Sequence, residues 1–118
     1  YQCLNIPAES VILHAGMEVT EVLTGTSSDV GYDLGITGGD VDNFVDGFDA
    51  DGAAAGAYAP TSAAYAPVMV GAADTLDILV AAQTGTTLTG KIRVFATLMD
   101  VSDAGDMAAN EVDRDTLA

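Results

Sequence analysis

Five aspartates crowd one stretch of the chain, Asp40, Asp42, Asp46, Asp49 and Asp51. Carboxylates at that density could gather the roughly six to eight oxygen ligands that calcium takes. No EF-hand register fits, because whichever Asp is set first, an apolar residue falls on a ligand position or the central Gly is missing. A loop site of another kind stays open beside the plainer reading, in which Asp side chains cap turns. Gly85 to Lys91, GTTLTGK, follows the spacing of a phosphate-binding P-loop until Ile92 replaces the Ser or Thr that would hold magnesium. It also runs into a strand pattern where a P-loop must open a helix, so it reads as a turn. His14 and Cys3 are the only imidazole and the only thiol. Zinc would need carboxylates for its remaining ligands, which is not the usual structural pattern. There is no Gly-x-Ser-x-Gly elbow to pair a nucleophile with His14, and Cys3 lies in a terminus. These residues predict no enzyme and no cofactor.

Tyr58 and Tyr65 carry a different kind of chemistry. Each sits in a repeated Ala-Tyr-Ala-Pro, Ala57 to Pro60 and Ala64 to Pro67. Tyr brings a large, rigid contact area at low entropic cost, so both are candidate anchors for a partner. The alternative is that they fold back onto their own domain.

The elements that must position these residues read as strands. Thr86 to Val101 alternates with period two and is rich in Thr, Val and Ile. It predicts a long strand with Ile92, Val94, Ala96 and Leu98 on one face and Arg93, Phe95, Thr97 and Met99 on the other. That second, mixed face suits partial cover by another sheet or by a neighbouring subunit. Val11 to Ala15 and Met17 to Leu23 are two strand candidates parted at Gly16, or one bent strand with a bulge there. In the second, Met17, Val19 and Leu23 face one way and Val22 the other. Val30, Tyr32, Leu34 and Ile36 share a face of a third strand; Val68 to Val70 and Asp74 to Val80 give two more, the latter with Leu76, Ile78 and Val80 inward. Leu4 to Ala8 is an extended entry and Thr84-Gly85-Thr86 a hairpin turn. Asp42 to Asp51 reads as a short helical turn or an irregular segment. Residues 52–67 read as a long Ala-, Tyr- and Pro-rich surface excursion, of a length that usually carries function.

Short strands, Gly-rich turns and no long helical pattern predict an all-β fold, an antiparallel β-sandwich or jelly roll. The 118 residues suit one domain, residues 1–102, followed by a polar acidic C-terminal arm, 103–118, with a helical turn at Met107 to Val112. Hydrophobic residues make up 49% of the chain but aromatics only 6%, so the expected core is thin and rests on Val, Ile and Leu. Eighteen acids against three cations leave a net charge of −15, which repels phosphate backbones and argues against nucleic-acid binding. Fourteen of those acids are Asp, a bias toward turns and strand ends. One cysteine permits no intrachain disulfide. With no apolar run of about 18 residues and no basic leader, no membrane association is expected.

The order of segments carries a resemblance. Ile6-Pro7-Ala8 is followed by Val11 to Leu23 with Gly16-Met17-Glu18-Val19, then by Asp33-Leu34-Gly35 and Gly38-Gly39-Asp40 to Gly47. Ala73 to Ile78 and Gly90-Lys91-Ile92-Arg93-Val94-Phe95-Ala96 complete it. This arrangement resembles the small capsid decoration, or cement, proteins of tailed phages. The resemblance implies a structural virion protein, a homotrimer on the outer surface of the phage head, bound to the major capsid protein and bridging neighbouring capsid subunits. Contacts would then fall on the mixed face with Phe95, Met99 and Val22, on the terminal segments and on the loop with Tyr58 and Tyr65. Two other roles remain: a phage fibre or knob module for host-surface binding, and a calcium-dependent adhesin-type domain using the Asp cluster.

Overall fold

A computed structural model describes residues 1–25, 28–51, 53–85 and 88–101. The acidic arm with its helical turn, and Thr86 and Thr87 of the P-loop-like run, lie outside the described residues. The described chain is all-β: β1 (Gln2–Ile6), β2 (Ser10–Gly25), β3 (Ser28–Ile36), β4 (Val45–Asp49), β5 (Val68–Val70), β6 (Asp74–Thr84) and β7 (Leu88–Asp100). Two antiparallel sheets pack as a β-sandwich, one of order β1-β6-β3-β4 and the other of order β5-β2-β7. Sixteen residues at about 3.3 Å each make β2 roughly 50 Å long. That length fits only along the 64 Å axis of a molecule measuring 64 × 24 × 23 Å.

The core lies between the sheets and follows the alternation in the sequence. Ile6, Ile12, Met17, Leu34, Phe44, Val45 and Leu76 are its buried centre, with Ile92, Val94 and Ala96 of β7 half-buried against it. The common face of Val30, Tyr32, Leu34 and Ile36 is the inner face of β3, and Leu76 and Ile78 point inward from β6.

Two expectations need correction. Of the two readings of Val11 to Leu23 the single strand holds, but Gly16 is not its bulge, since it pairs in register with Phe95. The register slips instead between Ile12 and His14, between Val19 and Glu21, and between Glu21 and Thr24. In each case β2 carries the extra residue and β7 stays regular. The first slip moves the inward set from Ser10 and Ile12 to Ala15, Met17 and Val19. Gly16 gives the Phe95 ring its seat: a Cβ there would lie 2.6 Å from Phe95 Cζ, because the ring rests over the β2 backbone. At the last slip Leu23 covers Gly90, whose φ of +145° and lack of a side chain let the two strands close.

The second correction concerns Asp42 to Asp51, which holds β4 and not a helical turn. Phe44 and Val45 are buried and pull this Asp-rich segment onto the core. The Asp33 carboxylate then accepts the Gly47 N–H at 2.8 Å, at the one β4 residue with positive φ.

Residues 53–67 do not project into solvent. The Gly56 N–H donates to Val19 O at 2.7 Å, Val19 N–H to Ala57 O at 2.9 Å, and Ala59 N–H to Met17 O at 2.9 Å. This segment thus extends the edge of β2 beyond short β5, with Tyr58 bridged to Glu18. Further on, the Ser62 N–H donates to Phe44 O at 2.9 Å. Buried Asn43 holds Ala66 through both its amide groups, donating to Ala66 O at 2.8 Å and accepting from Ala66 N–H at 3.3 Å. The excursion is a strap that joins the two sheets along one flank.

Candidate interaction surface

Cross-strand pairing fixes what the outer face of the β5-β2-β7 sheet displays, because directly opposed residues point to the same side. Val11 pairs with Met69 on one side and with Met99 on the other, giving an apolar row across three strands. Met69 is 55% exposed and Met99 47%. Gly16 opposite Phe95 makes a second row, with the Phe95 ring lying over the Gly16 backbone. Tyr58 stands edge-on to Phe95 with centroids 6.2 Å apart. His14 stacks against the same ring at 6.5 Å.

Farther along the face, charge replaces apolar surface. Arg93 pairs with Glu18 at 3.6 Å and Lys91 with Glu21 at 3.1 Å, and then Thr24 and Thr89 share a hydroxyl contact at 3.3 Å. Both cations among the described residues therefore lie on this one face, each matched by a Glu. On a chain of net charge −15 the face is locally neutral along these pairs.

The two tyrosines divide. Tyr65 turns inward, half-buried, with its ring 5.9 Å from Phe44 and 5.5 Å from His14. Tyr58 is 62% exposed. Of the candidate contacts, the structure brings Phe95, Met99 and Tyr58 onto one surface and assigns Tyr65 to the core. Val22 is exposed but sits in the irregular stretch of β2 near Gly90, beyond the paired charges. Val11 and Met69 were missed. Met69 had a signal, since it alternates with Val68 and Val70. Val11 had none, because only the slip after Ile12 reveals which way it points.

The remaining chemistry is structural. His14 Nε2 lies 3.3 Å from the Thr61 hydroxyl, a contact that ties the strap to β2. Cys3 is on β1, in the opposite sheet, where its thiol donates to Tyr1 O at 3.4 Å. The aspartates serve turns. Asp40 accepts the Asp42 N–H at 3.3 Å, and Asp49 accepts the Asp51 N–H at 3.0 Å. A hydrogen bond to the Asp40 carboxyl, followed by the negative charge of Asp40 and other smaller causes, raises the Asp42 pKa above its ordinary value. No three acidic, imidazole or thiol groups among the described residues converge as a metal site. A cleft of about 480 Å³ between β4 and the strap is lined by Asp46, Asp49, Tyr58 and Thr61, among others. It holds no paired acid and base.

Comparison of the chain with family models, with characterised proteins and with solved structures returns no match in any of the three.

Proposed function

We propose that this chain is a structural virion protein, a capsid decoration protein that binds the outer surface of a phage head and bridges neighbouring shell subunits. The observation that carries the reading is the outer face of the β5-β2-β7 sheet. It presents Met69, Val11, Met99, Phe95 and Tyr58 together, beside a stretch whose charges are already paired. An exposed apolar area rimmed by polar groups marks an interaction surface more than a reaction site. Residues of this kind bind by area, and their effect grows with the number of copies on a symmetric shell. Cement acts by mass action, since a protein that binds the assembled lattice and not its dissociated parts shifts the equilibrium toward assembly.

A second reading is a fibre or knob module for host-surface binding. One feature favours it: Tyr58, Phe95 and His14 form a small aromatic platform of the type that stacks on sugar rings. Quantitative mass spectrometry of purified particles separates the two. A copy number near that of the shell protein supports decoration, a number near that of tail components supports the fibre reading, and absence from particles overturns both.

A further inference from the structure

We propose that the free edge of β7 is a pairing edge for a second copy of this chain, giving a two-fold dimer with one continuous six-stranded sheet, β5-β2-β7-β7-β2-β5. Among the described residues no strand pairs with the outer edge of β7. From Leu88 to Met99 that edge contains no proline and carries none of the register slips, all of which fall on β2, and beyond Gly90, whose φ is +145°, it runs on from Lys91 to Met99 with no further positive-φ residue.

Long, regular, open edges are exceptional, because unpaired N–H and C=O groups invite another strand; proteins shorten, bulge, charge or cover them. This chain uses those devices at its other edges. β5 has three residues, the strap pairs with the edge of β2, and β4 has five residues with a slip. β1 has five residues and a slip, and Pro7 follows it. At β7 the two cations that could guard the edge are drawn onto Glu21 and Glu18 of β2.

Charge selects the occupant. From Leu88 to Met99 the strand has no acid, in a chain with eighteen. Two copies of β7 can therefore lie side by side without setting carboxylates against each other. Full overlap of an antiparallel pair puts Val94 opposite its own copy, Ile92 opposite Ala96, Arg93 opposite Phe95 and Lys91 opposite Thr97. Arg93 and Phe95 then meet twice across the two-fold axis, a cation–aromatic contact on the outer face. The self-pairing closes after one step, so its product is a dimer and not the trimer that the cement resemblance implies. The inference does not depend on the virion reading. The net charge of −15 on each copy opposes association, so salt strengthens it by screening the long-range repulsion.

Light scattering of the full chain across salt from about 0.05 to about 0.5 M tests this. The expected result is a rise from one chain mass toward two as salt increases, with slower hydrogen exchange along β7 in the dimer. Thr97 is exposed, and T97K sets an ammonium opposite Lys91 of the other copy at two equivalent places, whereas T97E sets a carboxylate there. Cross-strand charge pairs of this kind shift the dimer dissociation constant by roughly threefold or more, weaker for T97K and tighter for T97E. Matching melting curves for the two variants would show that the fold is intact. A single chain mass at every salt concentration, a mass of three chains, or a dimer indifferent to both substitutions would overturn the proposal.

Discussion

The two long flanks of the sandwich are finished differently. On the β4/β5 flank, the strap hydrogen-bonds to β2 at Met17 and Val19 and to the start of β4 at Phe44 and Asn43. On the β1/β7 flank the sheets end on strand edges with no described cover over β7. A thin core explains the first arrangement: with few aromatics, the strap adds Ala59 and Tyr65 to the apolar cluster and satisfies backbone groups that an open edge leaves to water. The second flank leaves its backbone groups available, and the neighbouring outer face carries the exposed Met and Phe side chains. The strap thus closes one flank through its own backbone, while the unpaired edge lies on the other, and the exposed apolar side chains run across the face between them, from Met69 of β5 to Met99 of β7.

The sharpest way to break this comparison is at Phe44, which is fully buried where the strap meets β4. Phe44→Ala is expected to cost about 3–5 kcal/mol of stability in urea denaturation, as large-to-small changes in cores do. A cost near that of a surface substitution would mean that the closed flank does not anchor the fold. Next comes Asn43→Ala, which removes both hydrogen bonds to Ala66 and leaves its backbone N–H and C=O without the Asn43 side chain. The expected loss is about 1–3 kcal/mol. Limited proteolysis should then cut faster within residues 53–66, while hydrogen exchange in β7 stays as it was. Equal loosening of both flanks would show that the strap is not a separate closure.

How much of this was legible in the sequence depended on whether side chains or backbone did the work. The β3, β6 and β7 strands alternate cleanly, and their inward residues were readable directly. The face assignments of β2 were readable only from Met17 onward, since the extra residue after Ile12 is invisible to periodicity. β4 was hidden because four aspartates outweighed Phe44, Val45 and Phe48 in the local pattern. The strap was opaque for a different reason. Its pairing with β2 is made by the backbone of Gly56, Ala57 and Ala59, residues whose small side chains allow close approach but advertise nothing. Of the contact face, Phe95, Met99 and Tyr58 were visible as candidates, while the Met69–Val11–Met99 row needed the register.

On the open side the corresponding perturbation is smaller. Gly16→Ala places a Cβ against the Phe95 ring, which is 37% exposed and can swing outward, so the expected cost is about 1 kcal/mol. In a Phe95→Ala background the same change should cost almost nothing. That non-additivity, measured as a double-mutant cycle, isolates the contact. If the two effects simply add, the ring does not rest on Gly16 and the outer face is organised in another way.

The smallest expected effect lies in the turn that leads into β4. The Asp42 pKa is raised in the folded protein, chiefly by its hydrogen bond to the Asp40 carboxyl and then by the charge of Asp40. A carboxyl whose folded pKa is raised holds its proton more tightly folded than unfolded. Its contribution is therefore fully present below the ordinary carboxylate range and is lost as pH rises through the raised folded value. At neutral pH what remains is repulsion between neighbouring carboxylates. Asp42→Asn keeps a donor for Asp40 and removes the charge, so it should melt slightly above the parent at pH 7. The difference should disappear at pH 3 and shrink in high salt at pH 7, where surface charges are screened. A variant that melts below the parent at pH 7 would mean that the Asp42 carboxylate has a favourable partner there. A ligand for the acidic turn, such as the calcium that its composition first suggested, would then become the question to pursue by titration.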